Sequence, residues 1–525
     1  MVEHTTLHNS VRIVNTIFDF FTKNLNYTAN PELTFYVKLS ITIYNLCTIL
    51  ILIFFIINVI ITIFFKNWTN LAKIVKYLNI LVISILIWLV MIKFYLTLRL
   101  ESIFGMYLQN ARLEFFNANT NKLGYLEHFN ILSSSFSDTI LLLSLLIGLF
   151  CLELLGPKNL FNSFNNVSIF YLFNLFISFM VSTNNLLIIF ISFEFIFLPT
   201  IYFAYVFGYS KKIDIAAEML IYWTLFGSFL VLCNLAYLYY SYNTLNFFFL
   251  TKINFSTSEV LFLFVNFILG FGIKVPIAPL HYWLLKVHVE SPTAFSMYLS
   301  GFLVKSAIYC MYIFINIFNT NYLYLSLIVW VLYSLVISTL GLARQVDIKK
   351  LIAWATIQEM SLMVVFLVFK QMFLIHTCVL FVLLHGLMSA YMFYLVDIIQ
   401  RRYKTRSLQY IQGINLIFPE LTKYIWFIIL MFGGFPFTIK FFIEWALACL
   451  LINISKFLLI FILFFVNFLG TVFFCKILFT LLYGSPNSLN KDINYCELQK
   501  KEKTILNTLL LTILLLLPLI YIINW

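Results

Sequence analysis

Residues 270–292 read Gly270-Phe271-Gly272-Ile273-Lys274-Val275-Pro276-Ile277-Ala278-Pro279-Leu280-His281-Tyr282-Trp283-Leu284-Leu285-Lys286-Val287-His288-Val289-Glu290-Ser291-Pro292. The stretch opens inside an apolar run read at 258–280, which at ~20 residues is long enough to cross ~30 Å of hydrocarbon. Yet it carries a lysine at depth and four helix breakers, Gly270, Gly272, Pro276 and Pro279. Breaking a helix frees backbone N–H and C=O groups, which inside a bilayer only protein or water can satisfy. A charge at mid-bilayer costs about 3 kcal/mol on insertion scales. Breaker and charge together therefore point to an interrupted transmembrane helix facing the interior of a bundle.

Working outward, the same construction recurs once. Residues 433–444 read Gly433-Gly434-Phe435-Pro436-Phe437-Thr438-Ile439-Lys440-Phe441-Phe442-Ile443-Glu444, again breakers followed by charge in an apolar span. Spans of ~20 apolar residues fall at about 40–65, 76–98, 136–155, 164–183, 185–208, 214–240, 258–280, 293–317, 323–342, 350–369, 372–398, 421–451, 456–482 and 503–524. The expected fold is an all-α polytopic membrane protein of about fourteen helices, with the seventh and twelfth broken. If 164–317 (spans four to eight) and 323–482 (spans nine to thirteen) are two copies of a five-span unit, the broken helices occupy the same place in each. An odd number of spans makes consecutive copies inverted, and matched interrupted helices mark a translocation site. The remaining segments are a polar extension at 1–39, spans one to three with a long loop at 40–155, and a last span at 503–525.

Composition agrees with this reading. The chain of 525 residues is 62% hydrophobic and 10% charged, whereas a soluble surface needs about a quarter of its residues charged. Lipid is therefore the solvent. The net charge of +12 is a matter of topology and not of nucleic-acid binding. Lys66, Lys73, Lys158, Lys211, Lys212, Lys286, Arg344, Lys349, Arg401, Arg402, Lys404, Arg406, Lys491, Lys500, Lys501 and Lys503 lie in odd-numbered connections. The even ones hold Arg99, Arg112, Lys122, Lys252, Lys370 and Lys456. By the positive-inside rule both termini lie on the trans side. The eight cysteines include no CxxC pair, which argues against an iron–sulfur or zinc site on this chain. The extension at 1–39 balances Glu3, Asp19 and Glu32 against Arg12, Lys23 and Lys38, unlike an acid-poor transit peptide. The 61 Phe and 31 Tyr fit an A/T-rich coding sequence of an organelle.

Ionisable residues stand where lipid should exclude them. Glu194 is central in span five, Lys305 in span eight and His385 in span eleven, while Lys274 and Glu444 sit on the broken helices. Placed in line, such groups can pass protons from one to the next. An opposite charge stabilises the ionised form of a buried acid or base, so separating Glu194 from Lys274 expels a proton and closing the pair recaptures one. Glu359, deep in span ten, is a further candidate. Lys93, Lys423 and Lys476 fall near span ends and are expected to snorkel, with Asp138 and Glu218 near interfaces.

The stretch 274–292 resembles the signature of the antiporter-like subunits of respiratory complex I. So do Arg344-Gln345-Val346-Asp347-Ile348-Lys349-Lys350-Leu351-Ile352-Ala353, Glu194 with Pro199, Tyr222-Trp223-Thr224-Leu225-Phe226-Gly227-Ser228, His385-Gly386, and Gly434-Phe435-Pro436 through Glu444. The resemblance covers about 130–485. It implies fourteen core helices, two inverted five-helix repeats and proton transfer along Glu194, Lys274, Lys305, His385 and Glu444, with His281 a further candidate. It also implies a place in the mitochondrial inner membrane beside the homologous subunits 2 and 5, which usually have lysine at the position of Glu444. FMN, iron–sulfur clusters and ubiquinone would belong to other subunits of the NADH:ubiquinone oxidoreductase, and bound phospholipid is expected. Two positions depart from the family: Gln358-Glu359-Met360 stands where Ser-His-Met is usual, and Lys440 where a neutral residue is common. A subunit of a multisubunit sodium/proton antiporter shares the signature. A His385-dependent acyltransferase gives no reason for Lys274 and Lys305, and a scaffold gives none for the buried charges.

Overall fold

The computed structural model describes residues 53–54, 56–57, 82–95, 135–154, 164–207, 212–318, 321–369, 372–454, 456–484 and 498–516. The polar extension 1–39, most of the span read at 40–65, the connection 99–134 and the last span beyond 516 lie outside the described residues.

The described chain is helical: α1 Val82–Tyr95, α2 Ser135–Leu154, α3 Phe164–Ser182, α4 Leu186–Phe207, α5 Ile213–Tyr242, α6 Thr257–Lys274 and α7 Tyr282–Glu290. Then follow α8 Thr293–Ile317, α9 Asn321–Ala343, α10 Ile348–Val368, α11 Met372–Tyr403, α12 Pro419–Phe432 and α13 Ile439–Ile454, with α14 Lys456–Tyr483 and α15 Lys500–Leu514. Seven of the helices are long and apolar enough to cross a membrane, and four more described segments are shorter apolar helices. No strand occurs among the described residues. Two isolated bridges, Asn185 with Asn246 and Asp347 with Ser407, tie connecting loops together.

Burial sorts the helices into inner and outer. Nearly every side chain described on α8, α10 and α11 is buried, and α11 packs against α2, α8, α10, α12, α13 and α15. The outer helices expose large apolar groups instead: Tyr222, Phe226 and Phe229 on α5, Leu325, Val329 and Tyr333 on α9, and Phe457, Ile460 and Phe464 on α14. In water such faces would be a liability. Here they form the apolar outer surface of the bundle, and they shield the inner helices.

Where two lipid-solvated helices must approach closely, small residues set the distance. A Cβ on Gly227 (α5) would lie 2.8 Å from the carbonyl oxygen of Gly270 (α6), and one on Gly386 (α11) would lie 2.8 Å from that of Gly301 (α8). The second contact matters for the site, because Gly386 follows His385 and Gly301 precedes Lys305 by one turn.

Both expected breaks are present. The span read at 258–280 stops at Lys274 and helix resumes at Tyr282, and the span read at 421–451 stops at Phe432 and resumes at Ile439. The stretch Tyr282–Glu290, read from the sequence as part of a connection, is a helix packed between α5 and α10. Its Lys286 is exposed, but Trp283, Leu284, Val287 and His288 are buried.

Candidate functional site

At the first break the freed backbone is held by indoles. Trp283 donates its Nε1–H to the carbonyl oxygen of Ile273 at 2.8 Å, and Trp330 donates to that of Ala278 at 2.8 Å. The Ile277 N–H bonds back to the Gly272 oxygen at 2.9 Å. Gly272 is required here because a Cβ would enter the Trp330 ring. The break thus presents Lys274 at a helix end with its neighbours pinned.

Lys274 is 0% exposed and its Nζ bonds the Glu194 carboxylate, whose side chain is 26% exposed. The rings of Phe193, Phe197 and Phe190 lie 4.4, 5.5 and 5.8 Å from the ammonium. An aromatic face adds about 1 kcal/mol of attraction to a cation and cannot accept its proton. Glu194 is therefore the acceptor the pocket provides.

Lys305 lies on α8 just after a π-helical turn, Leu299–Leu303. Widening to i→i+5 bonding leaves a carbonyl accessible, and Lys305 Nζ donates to the Ser300 oxygen. Opposite, His385 of α11 is 2% exposed, and neither ring nitrogen has a hydrogen-bond partner among the described residues. It packs edgewise on Phe432, with centroids 6.3 Å apart, and feels the charges of both Lys305 and Lys440.

The second break collects three charges. Lys440 forms ion pairs with Glu359 of α10 and, at 3.6 Å, with Glu444 one turn on. Its Nζ also donates to the freed Phe432 carbonyl at 2.7 Å and lies 4.8 Å over the Phe432 ring. Gly434 has a φ of +61, and a Cβ there would lie 2.8 Å from Glu444 Oε2, so the left-handed turn that ends α12 also makes room for that carboxylate. Oxygens of Glu359 and Glu444, one on each, remain without hydrogen bonds among the described residues.

The structure thus brings Glu194 to Lys274 and Glu359 to Lys440 and Glu444, with Lys305 and His385 on adjacent inner helices. Glu359 acts electrostatically on Lys305. The two departures from the family pattern, Glu359 and Lys440, are partners in one buried ion pair. His281 lies in the first break, 1% exposed, stacked on Tyr282 at 4.5 Å and tilted against Trp354 at 4.8 Å.

Three features escaped the sequence reading. His288, fully buried on α7 with both nitrogens unpartnered among the described residues, lies against Phe393 at 4.8 Å and feels the charge of Lys305. The quoted motif contained it, but nothing in the motif distinguished it from a core residue. Lys440 was visible only as a departure, although its i,i+4 spacing to Glu444 is a pairing signal. Lys93 and Asp138 are a correction: they neither snorkel nor sit at an interface. They are 1% and 0% exposed and paired with each other across α1 and α2, because α2 starts beneath the aromatic residues of α8 and not in solvent. Lys423, Lys476 and Glu218 are exposed, as expected of residues near span ends.

Residues 183–470 match the family model described as NADH:quinone oxidoreductase/Mrp antiporter, transmembrane. The chain is 35% identical to NADH-ubiquinone oxidoreductase chain 4 of Paramecium tetraurelia over 64% of its own length and 70% of the relative's. It is 32% identical to chain 4 of Acanthamoeba castellanii over 61% and 65%, and 30% identical to that of Chondrus crispus over 53% and 58%. The alignable part thus spans from over half to 70% of these relatives. The fold is similar to a chain of the membrane-bound sulfane sulfur reductase, an archaeal respiratory membrane complex. The TM-score is 0.71 at 15% identity over 91% of this chain and 96% of that one. It is also similar to a chain of respiratory complex I from Thermus thermophilus, with a TM-score of 0.61 at 17% identity over 82% and 98%.

Proposed function

Because this chain belongs to the NADH:quinone oxidoreductase/Mrp antiporter transmembrane family, we propose that it is the chain-4 subunit of a respiratory NADH:ubiquinone oxidoreductase and that it translocates protons across the mitochondrial inner membrane. The observation that carries this reading is the pair of Glu–Lys contacts at the two broken helices, with Lys305 and His385 also buried in the shielded core.

The pairs support the internal repeat. Glu194 and Lys274 come from spans five and seven, and Glu359 and Lys440 from spans ten and twelve. With fourteen spans and units at 164–317 and 323–482, these are the second and fourth helices of each unit. Each Lys adjoins a break and each Glu comes from an unbroken helix. One unit being inverted, a single mechanism serves twice.

In this mechanism Glu194 and Lys274 are a switch. Drawing the carboxylate away leaves an ammonium in an aromatic pocket that cannot accept a proton, and the lysine gives one up to its neighbour. Lys305 receives it and His385 passes it on, its two free nitrogens suiting it to accept on one side and donate on the other. Glu359, Lys440 and Glu444 form the receiving group, where one proton neutralises one of two carboxylates sharing an ammonium. His281 lies in the first break and His288 on the half-helix that follows it, within reach of the Lys305 charge. Residues 1–39 and 503–525 flank these units, both termini facing the intermembrane space.

FMN, iron–sulfur clusters and ubiquinone belong to partner subunits, and the exposed apolar faces of α5, α9 and α14 meet phospholipid or the homologous subunits 2 and 5. The relatives' names favour this assignment over a sodium/proton antiporter. The test is the assembly isolated with the chain: flavin and iron–sulfur subunits together with sodium-independent proton pumping support it, whereas an assembly without redox subunits refutes it.

A further inference from the structure

The half-helix α7 is fastened at both ends, and much of the fastening comes from chain beyond α8. At its head, Trp283 ties it to the oxygen of Ile273, the residue before Lys274. Trp330 of α9 donates to the Ala278 oxygen at 2.8 Å, and its ring occupies the space that a Cβ on Gly272 would need. Trp354 of α10 lies against His281 with centroids 4.8 Å apart. At its tail, Arg406, in the connection after α11, donates from Nη1 to the Val289 oxygen at 2.6 Å and pairs with Glu290 at 3.5 Å. Lys349 of α10, 1% exposed, donates to the Ser291 oxygen at 3.1 Å. The last carbonyls of a helix lack intrahelical partners and sit at its negative end. Two cations meet both needs here.

The anchors are themselves fixed. Arg406 Nε meets Asp347 Oδ2 at 2.8 Å, and Asp347 caps α10 by accepting from the Lys349 N–H at 3.0 Å. The Ile348 N–H bonds the Arg406 oxygen at 3.1 Å and the Leu408 N–H bonds the Val346 oxygen at 2.8 Å. The connections before α10 and after α11 are thereby joined. The second of them leads into α12, whose last residue, Phe432, accepts from Lys440. Tyr282–Glu290 is nine residues long, a rod of about 14 Å. Bonded at head and tail, it cannot shift at Arg406 without pulling on the backbone beside Lys274.

We propose that α7 is a strut through which Arg406 and Trp330 position Lys274 against Glu194, joining the first switch to the connection that leads into the second break. The proposal rests on the proton-translocating reading above. Arg406 and Trp330 are positioning residues: neither touches Glu194 or Lys274, and both act through the backbone that carries the lysine. A displacement of the connection after α11 is carried along α7 to Ile273 and Ala278, on either side of Lys274, and so opens or closes its contact with Glu194.

The test uses the assembled complex in proteoliposomes and reads protons translocated per NADH oxidised, beside the melting temperature of the complex. Trp330→Phe keeps the ring and removes the N–H. Arg406→Lys keeps the charge at the helix end but cannot serve Val289, Glu290 and Asp347 together as the guanidinium does. Losing one such bond changes the occupancy of the bonded position ~2- to ~10-fold. Each variant should therefore lose part of the proton yield that Lys274→Met loses, with NADH oxidation in uncoupled membranes retained. Because both residues act through one helix, the double variant should lose little more than the worse single one. The parent's ratio in either variant, with only a lower melting temperature, makes that contact structural and overturns the strut, provided Lys274→Met loses the ratio. Losses that multiply in the double variant overturn it too, since the residues then act separately. If Lys274→Met retains the parent's ratio, the translocation reading itself fails and the strut fails with it. Should Arg406→Lys not assemble, Trp330→Phe decides alone: a full yield refutes the strut, and a reduced yield with NADH oxidation intact supports it.

Discussion

Replacing Glu194 with Gln removes one charge from the switch with almost no change in shape. Leaving one partner of a buried ion pair alone costs about 3–5 kcal/mol. Glu194 is 26% exposed, which places the site at the lower end of that range. Gln retains a carbonyl oxygen to accept from Lys274 Nζ, and the Phe193 ring at 4.4 Å still contributes about 1 kcal/mol. A penalty of about 2–3 kcal/mol on the ionised lysine remains, which is a ~30- to ~150-fold loss of the charged form at one step of the cycle. The assay is NADH-driven acidification by the assembled complex in proteoliposomes, normalised to the amount of complex on a native gel. We expect assembly within about twofold of the parent and a fall in pumping of at least tenfold in the path this chain carries. Unchanged pumping from a fully assembled Glu194→Gln complex would refute the switch, because the pair would then be a structural contact.

Gly434→Ala should cost about 1–2 kcal/mol from the left-handed backbone alone and displace the Glu444 carboxylate; pumping should fall about as far as in Glu444→Gln, measured side by side. Lys440→Met strands two carboxylates and Glu359→His leaves Lys440 to Glu444 alone, but together they recreate the arrangement usual in the family. The double variant should therefore pump better than either single one, and additive losses would show that the two residues do not act as a unit. Gly227→Val forces side-chain atoms against the Gly270 carbonyl and should lower stability by about 1–3 kcal/mol, visible as a lower melting temperature of the purified complex with little change in protons per NADH.

Much of this architecture was legible in the sequence because membrane insertion penalises what does not belong there. Glycine and proline beside a lysine in an apolar run announced both breaks, and Glu194 and Lys274 stood out because lipid tolerates neither alone. The partner of Lys440 was hidden: Glu359 is 81 positions away in sequence, and only the fold, with α11 packed against both α10 and α13, brings them together. Lys93 and Asp138 misled for a different reason. Distance from a span end predicts exposure only if nothing covers that end, and here the aromatic residues of α8 do. The half-helix Tyr282–Glu290 was missed because Lys286, His288 and Glu290 lower its hydropathy, although its buried face holds Trp283 and Val287 against the core.

The account stands or falls on Lys305, buried at the centre of the row with one backbone carbonyl as its bonded partner and His385 on the facing helix. The decisive measurement is the number of protons translocated per NADH oxidised by the assembled complex carrying Lys305→Met. The account predicts that electron transfer persists in uncoupled membranes while the proton yield falls by the share this chain carries. A yield equal to the parent's, from a complex assembled to the same level, would contradict it.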